Sequence, residues 1–413
     1  MLRNYLKVAL KVLARRRFFT FISLFGISFT LVVLMVLTAM VDHLLAPQPP
    51  QVHLDRTLRV SYMLQSGEGV EWNGNPGFGF LDRYCRNLPG VEMMTIVGSD
   101  MPVVGYPEGR RTDLRLRHTD GAYWDVYDFH FLEGTPFEEE DNLSGRPVAV
   151  ISESARHQYF ADAPALGKRM ELSGQAYEVI GVVANVSPMY DTASSDVWVP
   201  IGTIGDPSFR ESLMGGYDGI LVAESRDAFP AIRDDFEVRL AGVEFPPAGR
   251  WDRLQGFPMT PLEFASVSFF SDVPSRSDTK KFFGLIALIV LAFMLLPAIN
   301  LVNVNLSRIY ERTSEIGVRR AFGASSRHLI RQFVLENVVL CLVGGAVGFL
   351  LSAIVLAALN SSELIPYSEF GLSYRVFLAG MGLATFFGVL SGLFPAWRMS
   401  RLHPVAALKG ETG

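Results

Sequence analysis

The side chains that usually carry chemistry are present in this chain but are not assembled for it. Seven histidines are scattered over 413 residues, and none forms an HExxH pair that would set two imidazoles on one helix face around zinc. No G-x-S-x-G elbow presents a serine, and no strand ends in a cysteine beside an evident base. The cysteines, Cys85 and Cys341, fall in segments expected in different environments, so neither a disulfide framework nor a CxxC site arises. The run "EEEDN" from Glu138 lacks EF-hand spacing and reads as a solvated acidic turn. "GNPGFGFLD" is glycine-rich without a predicted strand before it, which reads as a mobile loop rather than a phosphate cradle. No G-x-x-x-x-G-K-[ST] occurs, so the chain is expected neither to bind nor to hydrolyse ATP by itself. A non-catalytic protein with no metal is the expectation.

One segment remains chemically distinctive. "ERTSEIGVRRAFGASSRHLIRQF", Glu311 to Phe333, is dense in arginine yet lies between two long apolar runs. On a helix, Val318, Ala321 and Phe322 share a face while Arg319 and Arg320 point elsewhere; Gly323 ends the helix, and Ser325 or Ser326 can cap the next. An apolar knob flanked by arginines suits a groove on a cytoplasmic partner. A positively charged loop with an incidental amphipathic turn would carry the same residues, and spacing alone does not choose between them.

The elements that must hold this segment are membrane spans. Four runs are free of charge, Phe18 to Val41, Phe282 to Ser307, Val338 to Ser362 and Val376 to Trp397. Each exceeds the ~20 apolar residues that cross a hydrocarbon core. Arg3, Lys7, Lys11, Arg15, Arg16 and Arg17 precede the first run, and the Glu311–Phe333 segment and the tail are also basic. "NSSELIPYSEFGLSY", between the third and fourth runs, has two acids and no base. The bias of basic residues therefore places both termini and the charged segment in the cytoplasm, in the plasma membrane. Residues 1–17 fit an amphipathic helix in the inner headgroup layer, touching anionic lipid, and equally fit a basic flank that only sets orientation. The first run is too long for a signal-peptide core and lacks a clear cleavage site.

The span middles carry no Asp, Glu, Lys or Arg, which argues against an aqueous pathway or a proton pump. Glu336 lies near the inner end of the third span, where a carboxylate favours a helix N-terminus or snorkels to the surface. Small residues instead form ladders: Gly380, Ala384, Gly388, Gly392 and Ala396 in the fourth span, Gly344, Gly348 and Ser352 in the third. Such stripes let helix backbones approach closely, within one chain or across a dimer.

Between the first two spans the composition changes to strands, turns and short helices. "DRTLRVSYML" and "YDGILVAES" read as strands, and "GFLDRYCRNL" and "RDAFPAIRDDFEVRLA" as helices, the latter with Phe229, Ile232, Phe236 and Leu240 at helical spacing. "RPVAVISESARHQYF" predicts a strand entering a helix capped by Ser152 or Ser154, and "GKRMELSGQAYEVIGVVANV" two strands joined at Ser173-Gly174. The expected fold is thus a membrane protein of four transmembrane α-helices plus a large α+β extracytoplasmic domain of two lobes, one inserted in the other. The boundaries expected are 1–17 cytoplasmic helix, 18–41 first span, 42–281 outer domain with an inserted lobe at about 110–202, 282–304 second span, and 305–332 charged cytoplasmic segment. They continue as 333–359 third span, 360–373 short outer loop, 374–397 fourth span and 398–413 cytoplasmic tail.

"RTSEIGVRRAFGASSRHLIRQFVLENVVLCLVGGAVG" resembles the hallmark segment of the FtsX/MacB family of ABC transporter permeases, which runs from E-I-G-[IV]-[RK]-[RK]-A-x-G-A into the third span. The tail "FPAWRMSRLHPVAALKGE" is similar to the family's close, with Ser400 where alanine is common, which makes 305–410 an FtsX-like permease domain. "HTDGAYWDVYDFHFLEGTPFEEED" and "GRPVAVISESARHQYFADAPALGKRMELSGQAYEVIGVV" resemble the MacB-like periplasmic core domain. The resemblance implies that Glu315, Ile316, Gly317, Val318, Arg319, Arg320, Ala321, Phe322, Gly323 and Ala324 form the coupling helix that contacts a cytoplasmic ABC ATPase. It further implies a dimer with a second copy or a paralogue, and an extracytoplasmic adaptor or ligand. ATP and Mg would enter only through the separate ATPase, since this chain starts almost directly with its first span; no nucleic acid is expected. Export or mechanotransmission is the function implied. The alternatives are an FtsX-like regulator of cell-wall hydrolases and a membrane sensor of antimicrobial-peptide stress.

Overall fold

The structure, a computed structural model, describes residues 17–161, 163–245, 250–270, 276–311, 326–362 and 364–400. The expected N-terminal helix (1–16 of it), the charged stretch 312–325 and the tail from 401 lie outside the described residues. The chain divides into two compact units. One is helical; the other is an α/β unit made of Leu44–Phe283 and Ile365–Ser368.

The helical unit contains α1 (Arg17–Leu45). Later helices of the chain, after the α/β unit's own α2 to α7, are α8 (Arg276–Glu311), α9 (Ser326–Ser361) and α10 (Tyr374–Ser400). Two helices among the described residues are long and apolar enough to cross a membrane, Thr20–Leu45 and Val334–Ser361, and a shorter apolar stretch covers Tyr374–Leu390. α1 and α9 meet around Ile27, Leu31, Val339, Leu340 and Cys341, with Leu24 and Ala384 against them.

In the α/β unit the strands are β1 (Thr57–Val60), β2 (Met63–Gly67), β3 (Val70–Pro76), β4 (Val91–Gly98), β5 (Met101–Gly105), β6 (Thr112–Thr119) and β7 (Phe131–Gly134). They continue as β8 (Val148–Ser152), β9 (Arg169–Leu172), β10 (Gln175–Val183), β11 (Val197–Pro200), β12 (Met214–Gly215), β13 (Tyr217–Ala223) and β14 (Arg253–Gly256). Its helices are α2 (Phe78–Phe80, continued to Cys85 as a π turn), α3 (Tyr123–Val126), α4 (Glu139–Ser144), α5 (Glu153–Phe160), α6 (Phe229–Ala241) and α7 (Pro261–Phe270).

Ten strands form one mixed sheet in the order β1-β13-β4-β6-β11-β8-β10-β9-β5, with β7 on β10. Because β5 pairs with β6 as well as with β9, the six strands from β6 through β5 close on themselves. This ring is built from strands between Met101 and Pro200. It joins β4 at Val97↔Thr119. A second sheet, β12-β3-β2-β14, shares a core with the first, Met63 and Leu254 packing with Leu58, Val60 and Leu221.

The strands read as apolar runs because both of their faces are buried. On β8, Val148 and Val150 enter one core and Ala149 and Ile151 another; on β11, Trp198 and its neighbours Val197 and Val199 divide in the same way. On β13, Ile220 and Val222 oppose Leu221, which packs with Ile232 and Phe236 of α6. The Ser152 hydroxyl caps α5 by accepting from the Ala155 N–H at 3.1 Å, and Ser173-Gly174, both at positive φ, turn β9 into β10.

Two local expectations are corrected. "GNPGFGFLD" is a strand-to-helix turn, β3 into α2, and not a loose loop. A Cβ on Gly77 would lie 2.2 Å from the Ser212 carbonyl oxygen and one on Gly79 2.4 Å from that of Arg210, so glycine is required for close packing. The Gly77 N–H donates to Leu213 O at 2.8 Å, which ties the turn to the segment before β12. "EEEDN" is the start of α4, where Glu138 and Asp141 make a reciprocal capping box.

Candidate helix-packing and coupling site

The ten residues expected to form the coupling helix, Glu315 to Ala324, lie outside the described residues. The small-residue ladders do not, except that the side-chain surroundings of Gly392 and Ala396 on α10 are not described. Gly344 and Gly348 of α9 face α1. A Cβ on Gly344 would come within 3.0 Å of Ile27 Cγ2, and one on Gly348 within 3.1 Å of Leu31 Cβ and 3.2 Å of Ser28 Cα. Between these two glycines the Ser28 hydroxyl donates to Gly344 O at 2.8 Å, a buried bond from helix to helix. Ser352 points back into its own helix and donates to Gly348 O at 2.7 Å.

The ladder of α10 meets two neighbours. A Cβ on Gly380 would approach Leu31 Cδ2 of α1 at 2.9 Å, and one on Gly388 would meet Cys341 Sγ of α9 at 2.5 Å. Ala384 packs on the α1–α9 cluster, and its carbonyl oxygen lies 3.5 Å from the Cys341 thiol. Asn337 Nδ2 donates to Gly388 O at 3.2 Å. Glycines here create hollows, and the large residues Ile27 and Leu31 fill them, so contact is made by dispersion where lipid would offer no hydrophobic gain.

Glu336 is buried, at 4 % exposure. α9 begins at Ser326, ten residues earlier, so the carboxylate sits in neither the helix's first turn nor the aqueous surface of this chain. Sequence reasoning did not name Ile27, Ser28 and Leu31, the α1 side of the seam; an i, i+4 pair of large residues was the available signal.

In the α/β unit, Asp120 is fully buried between strands. It accepts from Thr95 Oγ1 at 2.6 Å, from the Ile96 N–H at 3.2 Å and from Arg86 Nη2 at 3.2 Å. Burial pushes its carboxyl up to about 6 despite these donors. Burial likewise pushes the Cys85 thiol up, away from reactivity. Arg59 is held between Asp218, at 2.9 Å, and Asp191, at 3.0 Å, with its guanidinium 3.9 Å above the Phe264 ring of α7. Among the described residues no three His, Cys, Asp or Glu side chains converge to hold a metal.

A helix seam cut by glycines, with a large mixed α/β unit inserted after an apolar helix long enough to cross a membrane, fits a membrane protein. Family models agree: that of the MacB-like periplasmic core domain matches residues 20–239, and that of the FtsX-like permease C-terminal matches residues 287–404. The chain belongs to the FtsX/MacB family of ABC transporter permeases. The macrolide export ATP-binding/permease protein MacB of Escherichia coli K12 is 30 % identical over 339 residues, covering 79 % of this chain and 48 % of the relative. That of Salmonella typhi is 29 % identical over 293 residues, covering 70 % and 42 %. The chain thus spans about half the length of the curated relatives it matches. The periplasmic region of MacB from Actinobacillus actinomycetemcomitans aligns with a TM-score of 0.37 at 15 % identity, covering 53 % of this chain and 96 % of that one. The extracellular domain of the transporter YknZ from Gram-positive bacteria gives 0.36 at 18 %, covering 48 % and 98 %.

Proposed function

We propose that this chain is a permease subunit that passes ATP-driven motion from a separate cytoplasmic ATPase to its α/β unit, four spans crossing the plasma membrane with both termini inside. Residues 315–324 are the docking lever: Phe322, Val318 and Ala321 enter the partner's groove, and Arg319 and Arg320 meet its acidic rim. Two copies, or a copy and a paralogue, pair in the membrane. ATP and Mg act at the partner, and the α/β unit passes the motion to an outer adaptor or ligand.

The observation that supports this reading is the seam itself. Among the described residues α1, α9 and α10 are packed through glycines and apolar residues, with Asn337 and Ser28 donating to helix carbonyls, which suits transmission of force. The relatives named as macrolide exporters agree with an export role. The test is Phe322→Asp, with Gly323→Pro beside it. Each is expected to leave folding intact and to abolish ATP-dependent function; full retained function in either variant refutes the docking assignment.

A further inference from the structure

The connection between β10 and β11, residues 184–196, has no regular structure, yet hydrogen bonds tie it to β6, to α3's end and to two distant pieces of chain. Ser187, Thr192 and Ala193 are buried at 1 %, 5 % and 0 % exposure, where connecting loops ordinarily face water. Arg117 of β6, itself 3 % exposed, donates through Nη2 to Asp191 O at 2.7 Å and Ser194 O at 3.0 Å. The Tyr127 hydroxyl donates to Thr192 Oγ1 at 2.7 Å. The loop is therefore fixed to the sheet from beneath.

Two distant pieces of chain are fastened to the same loop. Gln48, three residues past the end of α1, donates through Nε2 to the Tyr190 hydroxyl at 2.5 Å. Ser368, in the link between α9 and α10, shares a buried hydrogen bond with Ser187, their Oγ atoms 2.6 Å apart. The short stretch Ile365–Ser368 accordingly folds as part of the α/β unit, although the chain on both sides of it belongs to the helical unit.

We propose that residues 184–196 form a fixed joint, with Ser187 and Ser368 as positioning residues that keep the α9–α10 link and the chain leaving α1 moving as one body with the α/β unit. A buried hydroxyl pair holds a geometry that an exposed one would exchange with water. The joint deepens the proposed coupling, and its first test does not depend on any ATPase.

The test introduces Ser187→Cys and Ser368→Cys together into the full chain in membranes, with each single variant as control for the native Cys85 and Cys341. Mild oxidation with copper phenanthroline is expected to join the pair almost completely, and no link should form in the singles. Less than a tenth linked overturns the joint, whatever the coupling mechanism. In complexes with the ATPase, the linked protein is expected to keep at least half of its ATP-dependent activity, because the joint does not open in the cycle. Ser187→Asp with Ser368→Asp, which forces the joint apart by like charge, is expected to lower that activity at least fivefold while leaving chain levels unchanged. A linked protein that is inactive, or a charged pair that is fully active, overturns the proposal.

Discussion

Replacing Gly348 by leucine tests the seam where the structure leaves least room. A Cβ at this position already lies 3.1 Å from Leu31 Cβ and 3.2 Å from both Ser28 Cα and Ser28 O, so backbone as well as side chain is in the way. An alanine is accommodated by a shift of a few tenths of an ångström, offset by its better helix propensity of ~1 kcal/mol. A leucine must part α1 from α9. Overpacking of this kind costs ~1–3 kcal/mol, and losing the Ser28–Gly344 bond one turn away adds ~0.6 kcal/mol. After the propensity gain the net is about 1.6 kcal/mol, or roughly a fifteenfold rise in the open population. Cys341 reports it, being wholly buried within the same cluster. Its labelling by a maleimide dye, followed by peptide mapping to separate it from Cys85, is expected to quicken ~15-fold in Gly348→Leu and less than threefold in Gly348→Ala. Leu31→Ala added to Gly348→Leu is expected to recover most of the loss by removing the obstructing side chain. Labelling of Gly348→Leu within twofold of wild type would refute the packing argument.

The buried Asp120 sets a pH dependence. Its folded value of about 6 exceeds its ordinary 3.8, so the folded state holds the proton more tightly. Stability from this group is therefore fullest below pH ~4, falls as pH rises through 6, and is then reduced by ~3 kcal/mol. The melting difference between wild type and Asp120→Asn, followed by Trp fluorescence from pH 4 to 7, is expected to move against wild type as pH rises; a flat difference contradicts it. His118, two residues earlier, runs the other way, because burial lowers it to about 4 and stability is lost as pH falls below ~6.5. His118→Gln is expected to remove that acid-side loss. Ser152→Ala, which deletes the cap of α5, is expected to cost ~1 kcal/mol in denaturant unfolding of the whole chain, and Ser152→Thr much less.

Local chemistry was legible in the sequence, and long-range packing was not. The Ser152 cap, the Ser173-Gly174 turn and the buried side of α6 at Ile232 and Phe236 all follow from residues close in the chain. The ring closure through Gly105↔Leu172 joins strands more than sixty residues apart and leaves no local mark. Gly77 and Gly79 read as loop residues because the backbone that demands them, Arg210 to Ser212, comes some 130 positions later. In the helices, the small residues of α9 and α10 were visible as ladders. Their complement on α1 was hidden, since Ile27 and Leu31 look like any lipid-facing pair until the glycine opposite is placed. The family resemblance marked residues 315–324, which the composition alone could not distinguish from a basic loop.

The central claim is that the arginine-flanked turn is driven by another protein's nucleotide cycle. Purification of the full chain from its native membranes in mild detergent, with the co-eluting proteins identified and their ATP hydrolysis measured, tests it most directly. An ABC ATPase is expected to co-elute with wild type in near-equal amount and to be absent from, or uncoupled in, the Phe322→Asp preparation. Wild-type protein that elutes free of any ATPase, with function intact, would contradict the account.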